Sequence, residues 1–354
     1  MFIGIIAEFN PFHKGHLHLV NSVKENNKII SIMSGDYVVR GEFAIYDKFT
    51  RAISAYKAGV DAVFELASVF SIQNAEEFSR NAIRHLKHLG IDAICFGAEN
   101  PDSDFLDYAC KIVDSINSDL INKKTKLENI SYSNFVKNYI HKETHRLIGS
   151  NDMLALEYLR QIKIQNLNIK ILPIKRVVSE YNSSHYTEYS ATSIRKHILS
   201  NNYLLTLNDV LPIIKSIGPL TKIDTENLVE SEINKIYDAI FNSNSYQDII
   251  KDSTHKRLSV SRLQRALLKS ILGIDSLCEK KYRNTILLKP LAINKNNNIL
   301  NTLDKNKLYT SFKNIDILDD DTRELYFINE KHSEFYHSLT DNKKLLDRTN
   351  SPFI

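Results

Sequence analysis

Residues 2–7 (Phe-Ile-Gly-Ile-Ile-Ala) are nearly all apolar and give way at once to a polar turn. Short runs of this kind, without alternation, predict strands buried on both faces. The pattern recurs at 28–33, 61–66, 91–96 and 169–174, and between the runs the apolar positions take helical spacing. Helices are predicted from Leu17 through Lys24, from about Asp47 to Ala58 with Gly59 closing it, and from Ala75 to Leu89 with Gly90 at its end. Further helices are predicted over Asp104–Ser115, Tyr132–His145, Asn151–Gln161 and Thr192–Leu199. Strands alternating with helices imply parallel βαβ units, so residues 1–200 predict an α/β doubly wound parallel sheet. Ligands of such sheets bind beyond the carboxyl ends of the strands. That singles out the loops 8–16, 34–42, 67–74, 97–103 and 175–192.

Beyond about Asn201 the alternation stops. Residues 205–280 read as amphipathic helices, for example Val260–Leu272 with Leu263, Leu267 and Ile271 on one side. Residues 285–354 mix short apolar runs with polar loops, and Asn294–Asn298 reads as a solvated turn. The chain of 354 residues is long enough for two domains, 1–200 and a mainly helical 201–354. At 43% hydrophobic and 25% charged residues it has the composition of a soluble globular protein. No apolar run approaches the roughly 20 residues that span a bilayer, so no membrane partner is expected. The N-terminus lacks a basic region and cleavage site, and the first strand starts at residue 2, so no signal peptide is expected. Cys95, Cys110 and Cys278 lack metal-ligand spacing and read as apolar fillers of a cytoplasmic protein. The net charge of +4 permits a nucleic-acid partner without requiring one.

The candidate chemistry begins where the first strand hands over to a helix, at His13-Lys14-Gly15-His16. A helix N-terminus offers unpaired N–H groups and partial positive charge, which suit phosphate. Gly15 lets backbone approach a ligand, and His13 and His16 can donate to a phosphate whose charge grows during displacement. Arg40, Asp47, Lys48 and Arg51 offer cations for a triphosphate or RNA, oriented by Asp36 or Asp47, or else a charged surface. Glu65 ends a strand as a buried acceptor or a ligand contact, while His85 and His88 read as surface or packing residues. Gly97 ends the fourth strand, either to let a base or ribose pack on backbone or to make a tight turn with positive φ. Ser150 or Asn151 reads as a helix cap, and Asn151 has an amide able to read a base edge. Lys175-Arg176 follows the fifth strand. Ser190, Thr192, Ser193 and Arg195 open the next helix as a second phosphate cradle or an ordinary cap. Lys256, Arg257, Arg262 and Arg265 lie in an acid-free stretch that suits an RNA backbone or a solvated helix face.

Taken in order, the HxGH element, Met33-Ser34-Gly35 with Arg40-Gly41-Glu42, Asp47-Lys48, Gly59-Val60-Asp61, Phe96-Gly97, Asn151-Asp152, Lys175-Arg176 and Ser190–Arg195 form a recognisable set. The chain resembles the tRNA(Met) cytidine acetate ligase family, within the HIGH-type nucleotidyltransferase superfamily. HxGH and SATSIR mark only the superfamily; SGxxxxRGE…DK and NDMLALEYL point to the family. The resemblance implies an ATP-binding sheet domain of nucleotidyltransferase (HUP) type over 1–200 and a mostly helical tRNA-binding domain over 201–354. It implies ATP-dependent acetylation at N4 of the wobble cytidine of elongator tRNA(Met). Acetate attacks the α-phosphate to give acetyl-adenylate and pyrophosphate, and the cytidine amine then takes the acetyl group. Carried over by position, Ile6, Ala7, Glu8, Phe9, Asn10, Pro11, Phe12, His13, Lys14, Gly15, His16, Leu17, His18 and Leu19 form the ATP loop. Gly97, Asn151 and Arg176 are further nucleotide contacts, and magnesium is expected only with ATP, without a protein metal cage. Asp36 and Val39 stand where the family leads one to expect Asn and Gln, and Asp36 would put negative charge near the phosphates. Gly149-Ser150 replaces a proline-containing turn, and Glu180-Tyr181-Asn182 differs from an expected Tyr-His pair. A small-molecule adenylyltransferase of the same superfamily is the alternative, but such enzymes are far shorter and leave residues 201–354 unexplained. A silent RNA-binding protein is disfavoured by the intact histidine pair.

Overall fold

The apolar runs at 2–7, 28–33, 61–66, 91–96 and 169–174 each form a strand, and most are sealed on both faces. In the computed structural model, residues 1–116, 131–177, 191–201, 205–216, 226, 228–255, 258–294, 298–340 and 352 are described. The strands are β1 (Phe2–Ala7), β2 (Lys28–Ser34), the two-residue β3 (Tyr37–Val38) and β4 (Glu42–Phe43), β5 (Ala62–Leu66), β6 (Ala93–Ala98), β7 (Lys170–Lys175) and β8 (Lys289–Ile293). Six of them form one sheet in the order β7-β6-β1-β2-β5-β8. Its first five strands run parallel, with Ile5 opposite Ser31 and Cys95 in the β1 pairings. Successive side chains enter opposite layers: Ile3, Ile5, Ile29 and Val63 pack on one face, Ile30, Ile32 and Phe64 on the other.

The main helices are α1 (Lys14–Val23), α2 (Lys48–Lys57), α3 (Ala75–His88), α4 (Ser103–Ser115), α5 (Tyr132–Thr144), α6 (Ser150–Ile164), α7 (Ala191–Asn201), α8 (Glu230–Asn242), α9 (Tyr246–Ser253), α10 (Val260–Leu272) and α11 (Asp320–Leu339). The doubly wound sheet and mostly helical C-terminal region are as expected. Three features differ. α1 starts at Lys14 rather than Leu17, because His13 caps it. The loop 34–42 contains the β3–β4 hairpin. β8, from beyond residue 200, pairs antiparallel with β5 and extends the sheet. Pro290 is tolerated there because β8 is an edge strand.

A buried polar seam joins α11 to the sheet. Lys48 Nζ lies 3.0 Å from Glu65 Oε1 and 3.7 Å from Asp36 Oδ2, and Lys289 Nζ lies 2.8 Å from Glu65 Oε2. From α11, Asn329 Nδ2 donates to Glu65 Oε1 at 3.0 Å and Ser333 Oγ to Asp36 Oδ2 at 2.7 Å. Glu65 is thus a buried acceptor, and Lys48 is no phosphate cation. Arg51 is buried as well, donating to the carbonyls of Tyr46, Glu8, Ser34 and Gly35. The expectation of ligand contact from these side chains is corrected: a helix charge looks solvated in sequence, but here its partners arrive from distant strands. Asp36 also faces α11 and Lys48 rather than phosphate, so its departure from the family pattern belongs to the core. Asp47 caps α2 by accepting from the Thr50 N–H at 2.9 Å.

His85 and His332 are neutral members of this core. His85 Nδ1 meets the Asn81 carbonyl at 2.7 Å, and His332 bridges Ser68 Oγ at 2.6 Å and the Leu272 carbonyl at 2.9 Å. Burial pushes both down to about 4. The unfolded chain therefore takes up protons near pH 6.5 that the native protein refuses until about pH 4. Their stabilisation is complete above pH 6.5 and is lost as pH falls towards 4. Urea unfolding at pH 7 and pH 5 is expected to show about 2 kcal/mol lost per buried histidine at the lower pH. A midpoint unchanged between them would contradict this.

Candidate functional site

β1 lies between β2 and β6, and the connections from β1 and β6 leave towards opposite ends of the sheet. That reversal opens a crevice at the carboxyl ends of the strands. A cleft of about 1110 Å³ occupies it, walled by the loop after β1, the ends of β6 and β7, the starts of α3, α5, α6 and α7, and α10.

The histidine loop is built around an unusual cap. His13 has extended backbone (φ −145°, ψ 174°), and its Nδ1 accepts from the N–H groups of Gly15 at 3.0 Å and His16 at 3.4 Å. In return His16 Nδ1 accepts from the His13 N–H at 3.3 Å. The two imidazoles stack with centroids 3.8 Å apart, and Phe9 meets the His16 ring edge-on at 5.0 Å. Burial lowers His13 to about 4, with Arg176 and Arg195 adding to it; burial, His13 and Arg176 hold His16 well below its ordinary value. Both rings are therefore neutral. Because each Nδ1 is an acceptor, each proton sits on Nε2. The pair presents two neutral N–H donors at the mouth of α1.

Most of residues 6–19 line this cleft, whereas Pro11, Phe12, Lys14 and Leu17 fall outside its lining. Phe12 instead packs against His16 at 5.5 Å. Gly97, Asn151, Arg176 and Arg195 do converge on it. Gly97 has no positive φ, so the tight-turn reading fails; a Cβ there would lie 3.2 Å from Arg176 Cγ. Arg176 Nη1 donates to Asn151 Oδ1 at 3.1 Å, and Asn151 Nδ2 donates to Glu99 Oε1 at 2.6 Å. Each Asn151 amide atom keeps one further hydrogen-bonding position. Gly149, not Ser150 or Asn151, is the cap of α6; Asp152 ties the turn by accepting from the N–H groups of Glu99 and Asn100 at 2.8 and 3.0 Å. Sequence spacing gave no signal for this Glu99–Asp152 clasp.

On α7, Arg195 donates to the Asn10 carbonyl at 2.9 Å and to Thr192 Oγ1 at 3.3 Å, which pins the helix start to the histidine loop. Thr192 is exposed and Ser193 half-buried, while Ser190 and Glu180-Tyr181-Asn182 lie outside the described residues. Arg40 is exposed on the cleft wall.

The basic stretch sits differently from a solvated stripe. Leu258 and Leu263 are buried, but Arg262 and Arg265 line the cleft and are largely shielded. Arg262 Nε donates to the Glu226 carbonyl at 2.8 Å, Arg265 binds the Glu226 carboxylate at 2.6 Å, and Lys269 reaches it at 2.8 Å. Lys256, Arg257 and residues 295–297 lie outside the described residues. Gly41 explains how α10 comes so close: at φ 76° it faces the 264–265 backbone, where any Cβ would clash.

Comparison with known proteins follows the same lines. The HIGH nucleotidyl transferase family model matches residues 1–232. The chain is 31% identical to the tRNA(Met) cytidine acetate ligase of Fusobacterium nucleatum subsp. nucleatum, over 94% of each chain. It is 30% identical to that of Ligilactobacillus salivarius, over 99% of each. Its fold is similar to the crystal structure of Thermotoga maritima TmcAL in apo form, with a TM-score of 0.81 over 99% of both chains at 23% identity. A second form, bound with alpha-thio ATP, matches with a TM-score of 0.78 over 99% of this chain and 97% of that one, at 23% identity.

Proposed function

Given that the chain belongs to the tRNA(Met) cytidine acetate ligase family of the HIGH nucleotidyltransferases, we propose that it joins acetate to the wobble cytidine of elongator tRNA(Met) with ATP. Acetate attacks the α-phosphate, pyrophosphate leaves, and N4 of cytidine then displaces AMP from acetyl-adenylate. The reading rests above all on the stacked, neutral His13–His16 pair. Two Nε2–H donors at a helix N-terminus suit the charge that grows on an α-phosphate. A neutral imidazole donates there without requiring acid pH. Arg176 and Arg195 supply positive charge on the same cleft, and Thr192 and Ser193 open the adjoining helix. The protein supplies no nucleophile in this scheme, because acetate and the cytidine amine are themselves the attacking groups.

Among the described residues no three or more His, Cys, Asp or Glu side chains gather as a metal cage. Magnesium, bound with ATP, would supply charge neutralisation on the triphosphate. No described helix is long and apolar enough to cross a membrane, and the reaction is assigned to the cytoplasm, where tRNA is available. Arg262 and Arg265 line the same cleft and are assigned to the RNA, together with Lys256 and Arg257.

Incubation with ATP, labelled acetate and tRNA tests the whole scheme. Acetylated tRNA supports it; an adenylylated small molecule, or no product, overturns it. Nucleotide contact by Asn151 and Arg176 has its own test. Substituting either by Ala is expected to weaken ATP binding, measured by calorimetry, about tenfold or more through loss of a charge-assisted contact. Affinity for tRNA should change far less. Equal losses would remove these residues from the nucleotide site.

A further inference from the structure

Glu8 is the first residue beyond β1, the strand beside which the crevice opens, and it lines the cleft. Its position is fixed twice. Oε1 accepts from the Val39 N–H at 2.8 Å, and the Glu8 carbonyl accepts from Arg51 Nη1 at 2.6 Å. Oε2 has no protein partner among the described residues. The charged and titratable groups facing this carboxylate are Arg195 from α7, Arg51 from α2, Arg40 and Glu42 from the hairpin, and Tyr158 from α6.

A carboxylate repels a triphosphate, so Glu8 is poorly suited to hold one. It suits a different moment of the reaction. The exocyclic amine of cytosine is a weak nucleophile, since its lone pair is shared with the ring, and it becomes acidic only as it bonds to the acyl carbon. A fixed base then accelerates the step. Building on the acetyl-transfer reading above, we propose that Glu8 is the catalytic base of that transfer, its Oε2 accepting the proton from N4 of the cytidine. The N4–carbonyl bond forms, the acyl carbon–oxygen bond to the AMP phosphate breaks, and AMP leaves with the electron pair. The proton passes from N4 to Glu8 and thence to solvent. Burial supports the role: it raises the Glu8 carboxyl, outweighing the opposing Val39 N–H, Arg195 and Arg40. The ionised form is correspondingly the stronger base.

Glu8→Gln tests this, because the amide oxygen still accepts from Val39 while the base is gone. Two rates are read for wild type and variant: acetate-dependent ATP–pyrophosphate exchange, and single-turnover transfer from acetyl-adenylate to tRNA. The transfer rate is expected to fall about 100-fold or more, exceeding any loss in exchange by at least an order of magnitude. The acid limb of the wild-type transfer profile should vanish in the variant, and Glu8→Asp should restore part of the rate. Equal losses in both half-reactions, or transfer unchanged in Glu8→Gln, would overturn the role. A wild-type protein that forms no acetylcytidine would instead overturn the reading on which it rests.

Discussion

His16→Ala is expected to lower acetate-dependent ATP–pyrophosphate exchange on the order of 100-fold or more, by analogy with removal of one donor from an oxyanion site. The substitution deletes the His16 Nε2–H and also the Nδ1 acceptor for the His13 N–H. The second loss is a capping defect of about 1 kcal/mol, which leaves a folded protein. Its effect on rate is separable from its effect on stability. A thermal melt close to wild type combined with a collapsed exchange rate is the expected pair of results. Near-normal exchange by a folded variant would remove the histidine pair from the chemistry. Because both rings are neutral in the native protein, the exchange rate should also stay flat from pH 8 to pH 6, with no limb near the ordinary histidine value.

Glu65→Leu is expected to destabilise the protein by on the order of 3–5 kcal/mol, the usual effect of stripping a counter-charge from a buried pair. Glu65 receives Lys48, Lys289 and Asn329 at 2.8–3.0 Å, so its loss removes the carboxylate that two buried ammonium groups share. Lys48 also approaches Asp36 Oδ2, at the longer distance of 3.7 Å. Denaturant unfolding measures the loss directly, and a change under 1 kcal/mol would show that the seam contributes little. Pairing Glu65→Leu with Lys289→Met should recover part of the stability, since one of the two buried ammonium charges is then gone.

The parts of the fold legible in the sequence were those whose signal is local. β1 and β2 are runs of apolar residues because both faces are covered. The helices between them carry apolar spacing, with ends displaced by one to three residues where caps such as His13 and Gly149 decide the boundary. β3 and β4, two residues each, are too short to show any period. β8 has a lysine and a proline in five residues and pairs with a strand more than 200 positions earlier; nothing local announces it. The site divides in the same way. HxGH sits on one strand–helix junction and was legible as a unit. The burial of Lys48 and the shielding of Arg265 were not legible because their partners, Glu65 and Glu226, come from elsewhere in the chain. A charge on a helix shows its own face and not what will be folded against it.

β8 also imposes a timetable on synthesis. Until Lys289–Ile293 has left the ribosome, the hydrogen-bonding edge of β5 has no partner. Roughly 220 residues separate the two strands, which at cellular translation rates is on the order of tens of seconds. Throughout that interval the nascent chain presents an apolar, unpaired strand of the kind that recruits other chains. The same edge would be permanent in a protein cut after residue 200. Such a fragment, though it contains the whole histidine loop, is expected to precipitate rather than act as a free-standing adenylation module.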